Sequence, residues 1–359
     1  MLRPILTKLV EGRDLTRREA AEAMAGIMDG AVDDAQVAAF AVALRMKGET
    51  VDEIAGCAEA MRKRAEPFGP LGPAASRVVD TCGTGGDALG TINVSTLAAL
   101  VASGAGLVVA KHGNRSVSSR CGSTDLLETL GVPIDLSPAG SSACLKATGI
   151  AFLFAPRFHP ALRHAAAARR SLGMRTIFNL LGPLCNPAGV KRQVVGVFGR
   201  ERLQPLAEAL RSLGTRRALL VHGSDGMDEL TVTGRSWVVE VHEGAIRSRS
   251  IAPEQAGLRR WPPAALRGGG PERNAMRAIE VLEGRRGAAR DVTLLNAAAA
   301  LMVGGMAATL REGVAMAAES IDEGRARAKL EQVRAFCRTV ETERPAADGD
   351  DAPVAGGRR

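Results

Sequence analysis

The sequence predicts an α/β protein in which a small helical N-terminal domain is hinged to a larger α/β domain with a mostly parallel central sheet. Three observations predict this fold class. The first seventy residues show only helical periodicity, and from Arg77 onward short apolar runs alternate with helix-like segments. Such alternation is typical of a parallel sheet that is covered on both faces. At 359 residues, the chain also exceeds the size at which a single core usually stops growing.

The N-terminal region carries the start and stop signals of three helices. Thr16 and Glu19 have the spacing of a capping box, and so do Thr50 and Glu53. Between these two segments, DDAQVAAFAVALRMKG has an acidic start, a helical apolar stripe and a terminal Gly48. The stretch EPFGPLGPAASR, rich in Pro and Gly, then predicts a linker.

Five apolar runs predict the parallel strands, namely RVVDTCG, LVVAKHG, IAFLFAP, QVVGVFG and RALLVHG. The later segment SWVVEVHEGAIRSRSI predicts an antiparallel hairpin at or near the edge of the sheet. We therefore expect residues 1–72 to form the helical domain, with 168–190 packed on it. Residues 73–167 and 191–342 are expected to form the α/β domain. Residues 343–359 show no periodicity, which predicts a disordered tail.

The composition excludes several classes of protein. No apolar run approaches the roughly 20 residues that cross a bilayer, and the N-terminus is too charged for a secretory signal. A cytoplasmic protein with no membrane partner is therefore expected. The six cysteines are scattered, which favours reduced thiols over disulfides or a zinc site. A net charge of +8 with no Tyr and only two Trp favours an anionic small substrate over nucleic acid.

A glycine-rich stretch, DTCGTGGDALGTINVST, directly follows the first predicted strand. Its glycines let the backbone approach an oxyanion closely. Asn93 stands where the next helix begins, and a helix N-terminus favours a phosphate. The spacing matches neither the dinucleotide fingerprint nor the P-loop. A plain glycine-rich turn before an ordinary helix cap is the alternative interpretation.

A second polar loop follows the second predicted strand. Lys111, His112 and Asn114 come first, and hydroxyl side chains follow them. Ligands of open parallel sheets lie beyond the carboxyl ends of the strands, so we expect the two loops to share one site. The compact charge of a lysine suits a phosphate. The alternative is a solvated loop with a basic edge.

An acidic pair, Asp228 and Glu229, follows the fifth predicted strand. Neighbouring carboxylates repel each other unless solvent or a cation intervenes. Mg²⁺ prefers a few carboxylates together with substrate phosphate oxygens and water. The pair is therefore a candidate metal site, and a solvated surface loop is the alternative.

An arginine-rich segment follows the third predicted strand, with arginines at 157, 163, 169, 170 and 175. One or two of them are candidates for binding an anionic second substrate, because a guanidinium pairs with a carboxylate at two points. The sequence NLLGPLCNP, which comes next, predicts either a rigid turn or a hinge. Without a G-x-S-x-G motif, covalent catalysis is not favoured. The residues suit binding of a phosphorylated substrate with Mg²⁺ and stabilisation of a departing anion.

Five motifs together resemble the anthranilate phosphoribosyltransferases of tryptophan biosynthesis, and the resemblance covers about residues 1–340. The motifs are, in order, GTGGD at 83–87, NVST at 93–96, KHGNRSVSS at 111–119 with GSTDLLE at 122–128, RTIFNLLGPLCNP at 175–187, and the acidic pair. The resemblance implies a fold of the nucleoside phosphorylase/phosphoribosyltransferase type and a homodimer. It also implies Mg²⁺-dependent transfer of the phosphoribosyl group of 5-phosphoribosyl 1-pyrophosphate to the amine of anthranilate.

The resemblance further implies roles for individual residues. Those that match contacts to phosphoribosyl pyrophosphate are Gly83, Gly86, Asp87, Thr91, Asn93, Val94, Ser95, Thr96, Lys111, His112, Gly113, Asn114, Arg115, Ser116, Val117, Ser118, Ser119 and Ser123. Those that match contacts to anthranilate are Gly83, Asn114 and Arg169, with the adjacent Arg170 as the alternative register. Those that match magnesium ligands are Ser95, Asp228 and Glu229. His112 is a candidate for orienting the aromatic substrate or accepting a proton, and a structural hydrogen bond is its alternative role.

Two other functions have to be weighed against this one. A pyrimidine nucleoside phosphorylase resembles the same fold but uses phosphate as its nucleophile, and its glycine loop carries an S-T-G-G pattern instead of GTGGD. A non-catalytic relative that binds nucleic acid would agree with the +8 charge. Such a relative is expected to have lost GTGGD or the acidic pair, and this chain retains both.

Overall fold

The computed structural model describes residues 2–72, 77–85, 89–115 and 120–342. The N-terminal region forms four helices, α1 Arg3–Val10, α2 Arg17–Met28, α3 Asp34–Lys47 and α4 Val51–Lys63. Both predicted capping boxes are present, since Thr16 and Thr50 exchange hydrogen bonds with the glutamates three residues later. The short helix α1 was not predicted. It has no side-chain cap, and a proline stands in its first turn.

A single seven-stranded sheet forms the centre of the rest of the chain. Its strands are β1 Val79–Gly83, β2 Val109–Gly113, β3 Ile150–Phe154, β4 Arg192–Gly196, β5 Arg217–Gly223, β6 Ser236–His242 and β7 Ala245–Ile251. They lie in the order β3-β2-β1-β4-β5-β6-β7. The first five strands are parallel, and β6 and β7 add an antiparallel hairpin at one edge. The mostly parallel sheet and its edge hairpin are therefore confirmed.

The remaining helices connect and cover the strands. They are α5 Val94–Gly104, α6 Ser123–Thr129, α7 Pro138–Thr148, α8 Ala155–Phe158, α9 Ala166–Leu172, α10 Ile177–Leu181, α11 Leu203–Ser212, α12 Pro271–Leu282, α13 Ala288–Gly304, α14 Leu310–Asp322 and α15 Arg325–Thr342. Helices α5 and α13 pack on β1, while α11 packs on β5 and β6. Within the described ranges, no helix is long and apolar enough to cross a membrane.

Two buried clusters of apolar side chains stabilise the molecule. The larger cluster joins α5 and α13 to one face of the sheet. The other contains the cores of α2, α3 and α4 together with Ala168, Ile177 and Leu181, and it continues onto Val195 of β4. Helices α9 and α10 thus lie against α3 and α4, whereas Ala188 and Val190 belong to the larger cluster. The domain boundaries themselves stay a prediction.

Candidate active site

Several loops meet at the carboxyl ends of the parallel strands. Strand β1 is the central member of this edge, because it pairs with β2 on one side and with β4 on the other. Gly83 at the end of β1 stands opposite Gly196 at the end of β4. Gly113 ends β2, and the acidic turn follows β5 one strand beyond β4. The three polar loops predicted from the sequence therefore lie at one edge of the sheet.

The acidic turn after β5 is held in shape by its first carboxylate. Asp225 accepts the hydroxyls of Thr231 and Thr233, each at 2.6 Å, and the N–H of Met227 at 3.2 Å. The N–H of Gly223 closes the turn on Met227 O at 2.8 Å. Asp225 is thus engaged within the turn, which leaves Asp228 and Glu229 as the carboxylates that face the other loops.

A buried amide on α13 fixes the residue that follows the acidic pair. Asn296 is 2% exposed. Its Oδ1 accepts the N–H of Leu230 at 3.0 Å, and its Nδ2 donates to Leu230 O at 2.8 Å and to Val292 O at 2.9 Å. This two-point contact holds the main chain next to Glu229 against a helix of the core.

Two glycines allow the acidic turn to approach the sheet. A Cβ on Gly196 would lie 1.7 Å from Asp228 O, so no side chain fits there. A Cβ on Gly83 would lie 3.3 Å from Asp228 Oδ2. The Asp228 carboxylate therefore rests against the glycine-rich loop at the end of β1. The absence of side chains on both strand ends is what creates this contact.

The acidic turn also reaches the start of α5. Glu229 Oε1 accepts the main-chain N–H of Ser95 at 3.1 Å. Asn93, at the N-cap position, makes no side-chain cap, so the glutamate supplies an acceptor in the first turn of this helix. Within the described ranges, no three His, Cys, Asp or Glu side chains form a metal-binding group on their own. Ser95, Asp228 and Glu229 together offer the oxygen ligands that Mg²⁺ prefers, which fits a site completed by phosphate oxygens and water.

Lys111 on β2 points towards the start of α5 and is 3% exposed. Its Nζ donates to Thr81 O and, at 3.1 Å, to Ser95 Oγ. In this arrangement the ammonium contacts protein groups, and it places a positive charge directly behind the glycine-rich loop. Whether it also contacts a phosphate stays a prediction.

His112, the next residue, is held through both its main chain and its ring. Asp80 Oδ1 accepts its main-chain N–H at 3.1 Å, and its Nδ1 is 3.1 Å from Gly182 O. Because a carbonyl only accepts, Nδ1 must carry a proton, and in a neutral ring Nε2 is then unprotonated. Nε2 is buried and has no hydrogen-bond partner among the described residues. Burial and the neighbouring His159 lower the pKa of His112 to about 3, so the ring is neutral.

His159 lies beside His112, with the ring centroids 5.3 Å apart. Its Nε2 is 2.9 Å from Cys185 O, and its buried Nδ1 has no partner among the described residues. Burial lowers the pKa of His159 to about 4. Two neutral imidazoles, each with an unpaired acceptor nitrogen, therefore lie side by side behind the strand ends.

The segment NLLGPLCNP is anchored from four sides. Four consecutive carbonyl oxygens, from Gly182 to Cys185, each accept a hydrogen bond from a different side chain. The donors are His112 on β2, Gln193 on β4, Arg62 on α4 and His159 after α8. A turn held at every carbonyl cannot bend freely. The rigid turn, and not the hinge, is the interpretation that the contacts support.

The loop before α5 is tied to a distant part of the chain. Thr91 forms an isolated bridge with Arg267. Asn93 Nδ2 donates to Cys121 O at 3.0 Å, and its Oδ1 accepts Nδ2 of Asn274 at 2.9 Å. The side chain of Asn93 is therefore occupied inside the protein. Val94 and Thr96 are buried in the first turn of α5, and the Thr96 hydroxyl has no partner among the described residues.

The loop after β2 begins with an exposed turn. Asn114 Oδ1 accepts the N–H of Arg115 at 2.8 Å, and Asn114 O accepts the hydroxyl of Ser123 at 3.2 Å. A Cβ on Gly113 would lie 2.6 Å from Ser123 Oγ, so a larger residue there would displace the Ser123 hydroxyl. Arg115 binds Glu128 through two bonds of 2.6 Å, which directs its guanidinium to α6. Six predicted contacts lie outside the described residues, namely Gly86, Asp87, Ser116, Val117, Ser118 and Ser119.

The two adjacent arginines of α9 differ in environment. Arg169 is half-buried, and its guanidinium lies 5.4 Å from the ring centroid of Phe178 on α10. Burial lowers the pKa of Arg169. Arg170 is exposed. Arg175, which follows α9, stacks over Phe198 at 4.6 Å, next to the glycine-rich loop.

Three residues of the site were not singled out from the sequence. Asp80 is a charge inside an apolar run, which is the only signal that it carries. Asn186 and Asn296 look like ordinary turn and helix residues until the fold brings their partners close. Their hydrogen-bond partners lie 106 residues away for Asn186 and 66 for Asn296. Periodicity and local spacing contain no information at such separations.

The fold and the site define a glycosyltransferase with an anion cradle and a carboxylate pair. In agreement, residues 75–327 match the family model described as "Glycosyl transferase family, a/b domain", and residues 3–65 match "Glycosyl transferase family, helical bundle domain". The chain is 53% identical over 336 residues to the anthranilate phosphoribosyltransferase of Moorella thermoacetica, covering 94% of this chain and 98% of the relative. It is 52% identical to that of Azorhizobium caulinodans, covering 92% of this chain and 95% of the relative.

Solved structures agree with these relatives. The crystal structure of anthranilate phosphoribosyltransferase from Thermus thermophilus superposes with a TM-score of 0.87 at 47% identity, covering 93% of this chain and 99% of that one. The enzyme from Saccharomyces cerevisiae in complex with PRPP and Mg superposes with a TM-score of 0.86 at 28% identity, covering 94% of this chain and 98% of that one. The chain belongs to the anthranilate phosphoribosyltransferase family. Neither the phosphorylase nor the nucleic-acid-binding alternative is favoured by these relatives.

Proposed function

We propose that the chain transfers the phosphoribosyl group of 5-phosphoribosyl 1-pyrophosphate to the amine of anthranilate, with Mg²⁺, in tryptophan biosynthesis. The products are N-(5-phosphoribosyl)anthranilate and pyrophosphate. The observation that carries this proposal is the hydrogen bond between Glu229 and the main-chain N–H of Ser95. It brings a carboxylate pair to the glycine-rich loop and to a helix N-terminus. A pyrophosphate with its metal needs both features at one place.

The sugar-phosphate side of the site would be the glycine-rich loop, the start of α5 and the loop after β2. Gly83 lets the Asp228 carboxylate approach the end of β1, and the helix dipole of α5 favours negative charge at Ser95. Lys111 adds a buried positive charge behind them. These groups are fixed before the substrate arrives, so they stabilise the charge of the leaving pyrophosphate without reorganisation.

The metal side would be formed by Ser95, Asp228 and Glu229. A bound Mg²⁺ would neutralise the charge that develops on the departing pyrophosphate. The protein's part is to hold the three oxygen ligands close together. Asn296 fixes the main chain after Glu229, and Gly196 admits the main chain of Asp228. Because Asn296 and Gly196 are part of the packed interior, Asp228 and Glu229 are held in place.

The acceptor side would lie between the strand ends and α9. Arg169 is the candidate partner of the anthranilate carboxylate, because it is partly desolvated and stacked on Phe178. A desolvated guanidinium gains more from a carboxylate than a solvated one does. Gly83 and Asn114 lie at the neighbouring strand ends, where the resemblance places further anthranilate contacts.

His112 suits a role as hydrogen-bond acceptor better than one as general base. Its Nε2 has no hydrogen-bond partner in the part of the chain that the structure describes, and the amine of anthranilate is a donor. With a pKa near 3, the ring is too weak a base to remove a proton at neutral pH. The amine is already neutral at that pH and needs only orientation to attack C1 of the ribose. His112 would therefore orient the amine.

The assembly and the location of the protein are also proposals. A homodimer through the N-terminal helices would cover two large apolar side chains, Val10 on α1 and Met46 on α3, which are 80% and 83% exposed. The cysteines Cys57, Cys82, Cys121, Cys144, Cys185 and Cys337 are all buried free thiols. Free thiols suit the reducing environment of the cytoplasm.

The activity is tested by the fluorescence of anthranilate, which is lost when the amine is ribosylated. Purified protein would be mixed with anthranilate, phosphoribosyl pyrophosphate and Mg²⁺, and EDTA would replace the metal in the control. We expect consumption only when protein, both substrates and metal are present. Well-folded protein that consumes no anthranilate would refute the proposed acceptor. Consumption that EDTA does not affect would refute the metal assignment.

A further inference from the structure

Asp80 is a fully buried carboxylate that has no role in the proposed function described above. It lies on β1, three residues before Gly83, and is 0% exposed. Burial raises the pKa of this carboxyl group, and the nearby Lys111 ammonium opposes the shift. A buried carboxyl group is costly unless hydrogen bonds replace its hydration. Its partners are therefore the place to look for its role.

The two oxygens of Asp80 bind two separate parts of the site. Oδ1 accepts the main-chain N–H of His112 at 3.1 Å, at the end of β2. Oδ2 accepts Nδ2 of Asn186 at 2.7 Å, in the 182–188 turn. One side chain on β1 thus connects the strand that carries Lys111 and His112 with the turn that follows α10.

Asn186 completes this connection with every polar atom of its side chain. Its Nδ2 also donates to Ala110 O at 2.9 Å, and its Oδ1 accepts the N–H of Ala188 at 2.9 Å. Both residues are almost completely buried. Because donors and acceptors are matched at each contact, the orientation of the amide is determined, and so is the register of the turn against β2.

We propose that Asp80 is a positioning residue that aligns the end of β2 with the 182–188 turn. The end of β2 belongs to the sugar-phosphate side of the site. The turn belongs to the acceptor side, since it continues α10, whose Phe178 supports Arg169. Asp80 thereby sets the distance between the two substrates. This inference rests on the proposed function, because it concerns the alignment of the donor with the acceptor.

The variant Asp80→Asn tests this alignment without changing the size of the side chain. In either orientation, the new amide places its NH₂ group against a donor, which is the His112 N–H or Asn186 Nδ2. We expect kcat to fall about 100-fold, since misplacement by 1 Å can cost that much. The Kd of phosphoribosyl pyrophosphate with Mg²⁺, measured by calorimetry, is expected to change less than about three-fold, because an asparagine whose Oδ1 still accepts the His112 N–H leaves the sugar-phosphate side in place.

A swapped pair provides the sharper test. In Asp80→Asn combined with Asn186→Asp, the amide at position 80 can again donate to the carboxylate at position 186. Ala110 O loses its donor, so recovery is expected to be partial, with kcat about five-fold or more above that of Asp80→Asn alone. The effects of Asp80→Asn and Asn186→Asp on kcat, multiplied together, give the kcat expected if the two residues act independently. A double variant whose kcat is no higher than this value would overturn the proposal.

Ser320→Ala is the matched control for a lost buried hydrogen bond. Ser320 is 0% exposed, and its hydroxyl donates to Val101 O at 2.8 Å, between α14 and α5 and away from the site. Its kcat is expected to stay within about two-fold of the wild type. An equal loss of kcat in this variant and in Asp80→Asn would show a general effect of stability and would overturn the proposal.

If Asp80→Asn does not fold, Asn186→Ala takes its place. It leaves Asp80 bonded to His112 and removes the bonds that connect the turn to Asp80 and to Ala110 O, together with the acceptor of the Ala188 N–H. For this variant too, we expect a lower kcat with an almost unchanged Kd of phosphoribosyl pyrophosphate. An unchanged kcat would contradict the proposal. Wild-type protein without activity would refute the proposed function instead, so the two failures are distinguishable.

Discussion

At the scale of single residues, the environment separates side chains that the sequence could not distinguish. Arg169 and Arg170 are adjacent and identical in type, and the motif leaves their register open. In the structure, Arg169 is half-buried over Phe178, whereas Arg170 is exposed. Only the desolvated guanidinium has a strong gain in free energy from meeting a carboxylate.

Arg169→Ala is expected to raise the KM for anthranilate at least about ten-fold, because a charge-assisted pair contributes roughly 1.5–3 kcal/mol. The KM for phosphoribosyl pyrophosphate should change little. Arg170→Ala is the matched control and should alter neither constant. Steady-state kinetics with each substrate varied in turn would measure both values. A larger effect for Arg170→Ala would assign the carboxylate to the other register.

The acidic pair makes an equally specific prediction. Asp228→Asn combined with Glu229→Gln keeps the size of both side chains and removes both charges. We expect Mg²⁺-dependent turnover to disappear, because the remaining neutral oxygens bind Mg²⁺ weakly. Asp225→Asn is expected to affect stability instead, since Asp225 holds the turn through Thr231 and Thr233. Activity measured as a function of Mg²⁺ concentration would distinguish the double variant from Asp225→Asn. Unchanged turnover in the double variant would refute the metal assignment.

At the scale of secondary-structure elements, the sequence predicted which polar loops follow the parallel strands but not which side chains hold these loops in place. Apolar runs and capping boxes predicted the strands and three of the N-terminal helices, because those signals are local. The motifs predicted which strand ends carry polar loops, and these strand ends lie at one edge of the sheet. The supports come from side chains far along the chain, such as Asn296 on α13, which holds the main chain after Glu229. Such pairings depend on the tertiary fold.

Asn296→Leu is expected to weaken metal binding without removing any ligand. The apolar side chain leaves the N–H and carbonyl of Leu230 unpaired, so the acidic turn loses its anchor on α13. Supports of this kind typically change metal affinity by about 10–100-fold. Electron paramagnetic resonance of Mn²⁺ in the presence of phosphoribosyl pyrophosphate would measure this loss of metal affinity directly.

Thr293→Val is the control for that measurement. Thr293 is also on α13 and 0% exposed, but its hydroxyl bonds only to Ala289 O of its own helix. It should destabilise the fold to a similar extent without affecting Mn²⁺ binding. If both variants bind Mn²⁺ as the wild type does, Asn296 has no part in positioning the acidic pair.

At the scale of the whole molecule, the N-terminal helices are connected to the sheet domain through buried polar contacts as well as through the apolar core. Glu49, between α3 and α4, forms a buried ion pair with Arg202, which follows β4. Arg62 on α4 donates to Leu184 O in the anchored turn. The same turn accepts hydrogen bonds from His112 and His159. The stability of the whole protein is therefore linked to the protonation of these two rings.

Stability is expected to fall as the pH is lowered below about 6.5. In the unfolded chain both rings have the ordinary histidine pKa of 6.5, whereas burial lowers the pKa of His112 to about 3 and that of His159 to about 4. Between about pH 6.5 and pH 4 the unfolded state therefore binds more protons than the folded state. Each histidine then reduces the free energy of unfolding by about 1 kcal/mol for each pH unit within this range.

His159→Gln isolates the contribution of one ring to this pH dependence. The glutamine can still donate to Cys185 O, but it does not titrate. Urea unfolding at pH 6.5, 5.5 and 4.5 should give a slope of the free energy of unfolding that is smaller than that of the wild type by about 1 kcal/mol per pH unit. Equal slopes for His159→Gln and the wild type would mean that His159 is not held neutral by burial.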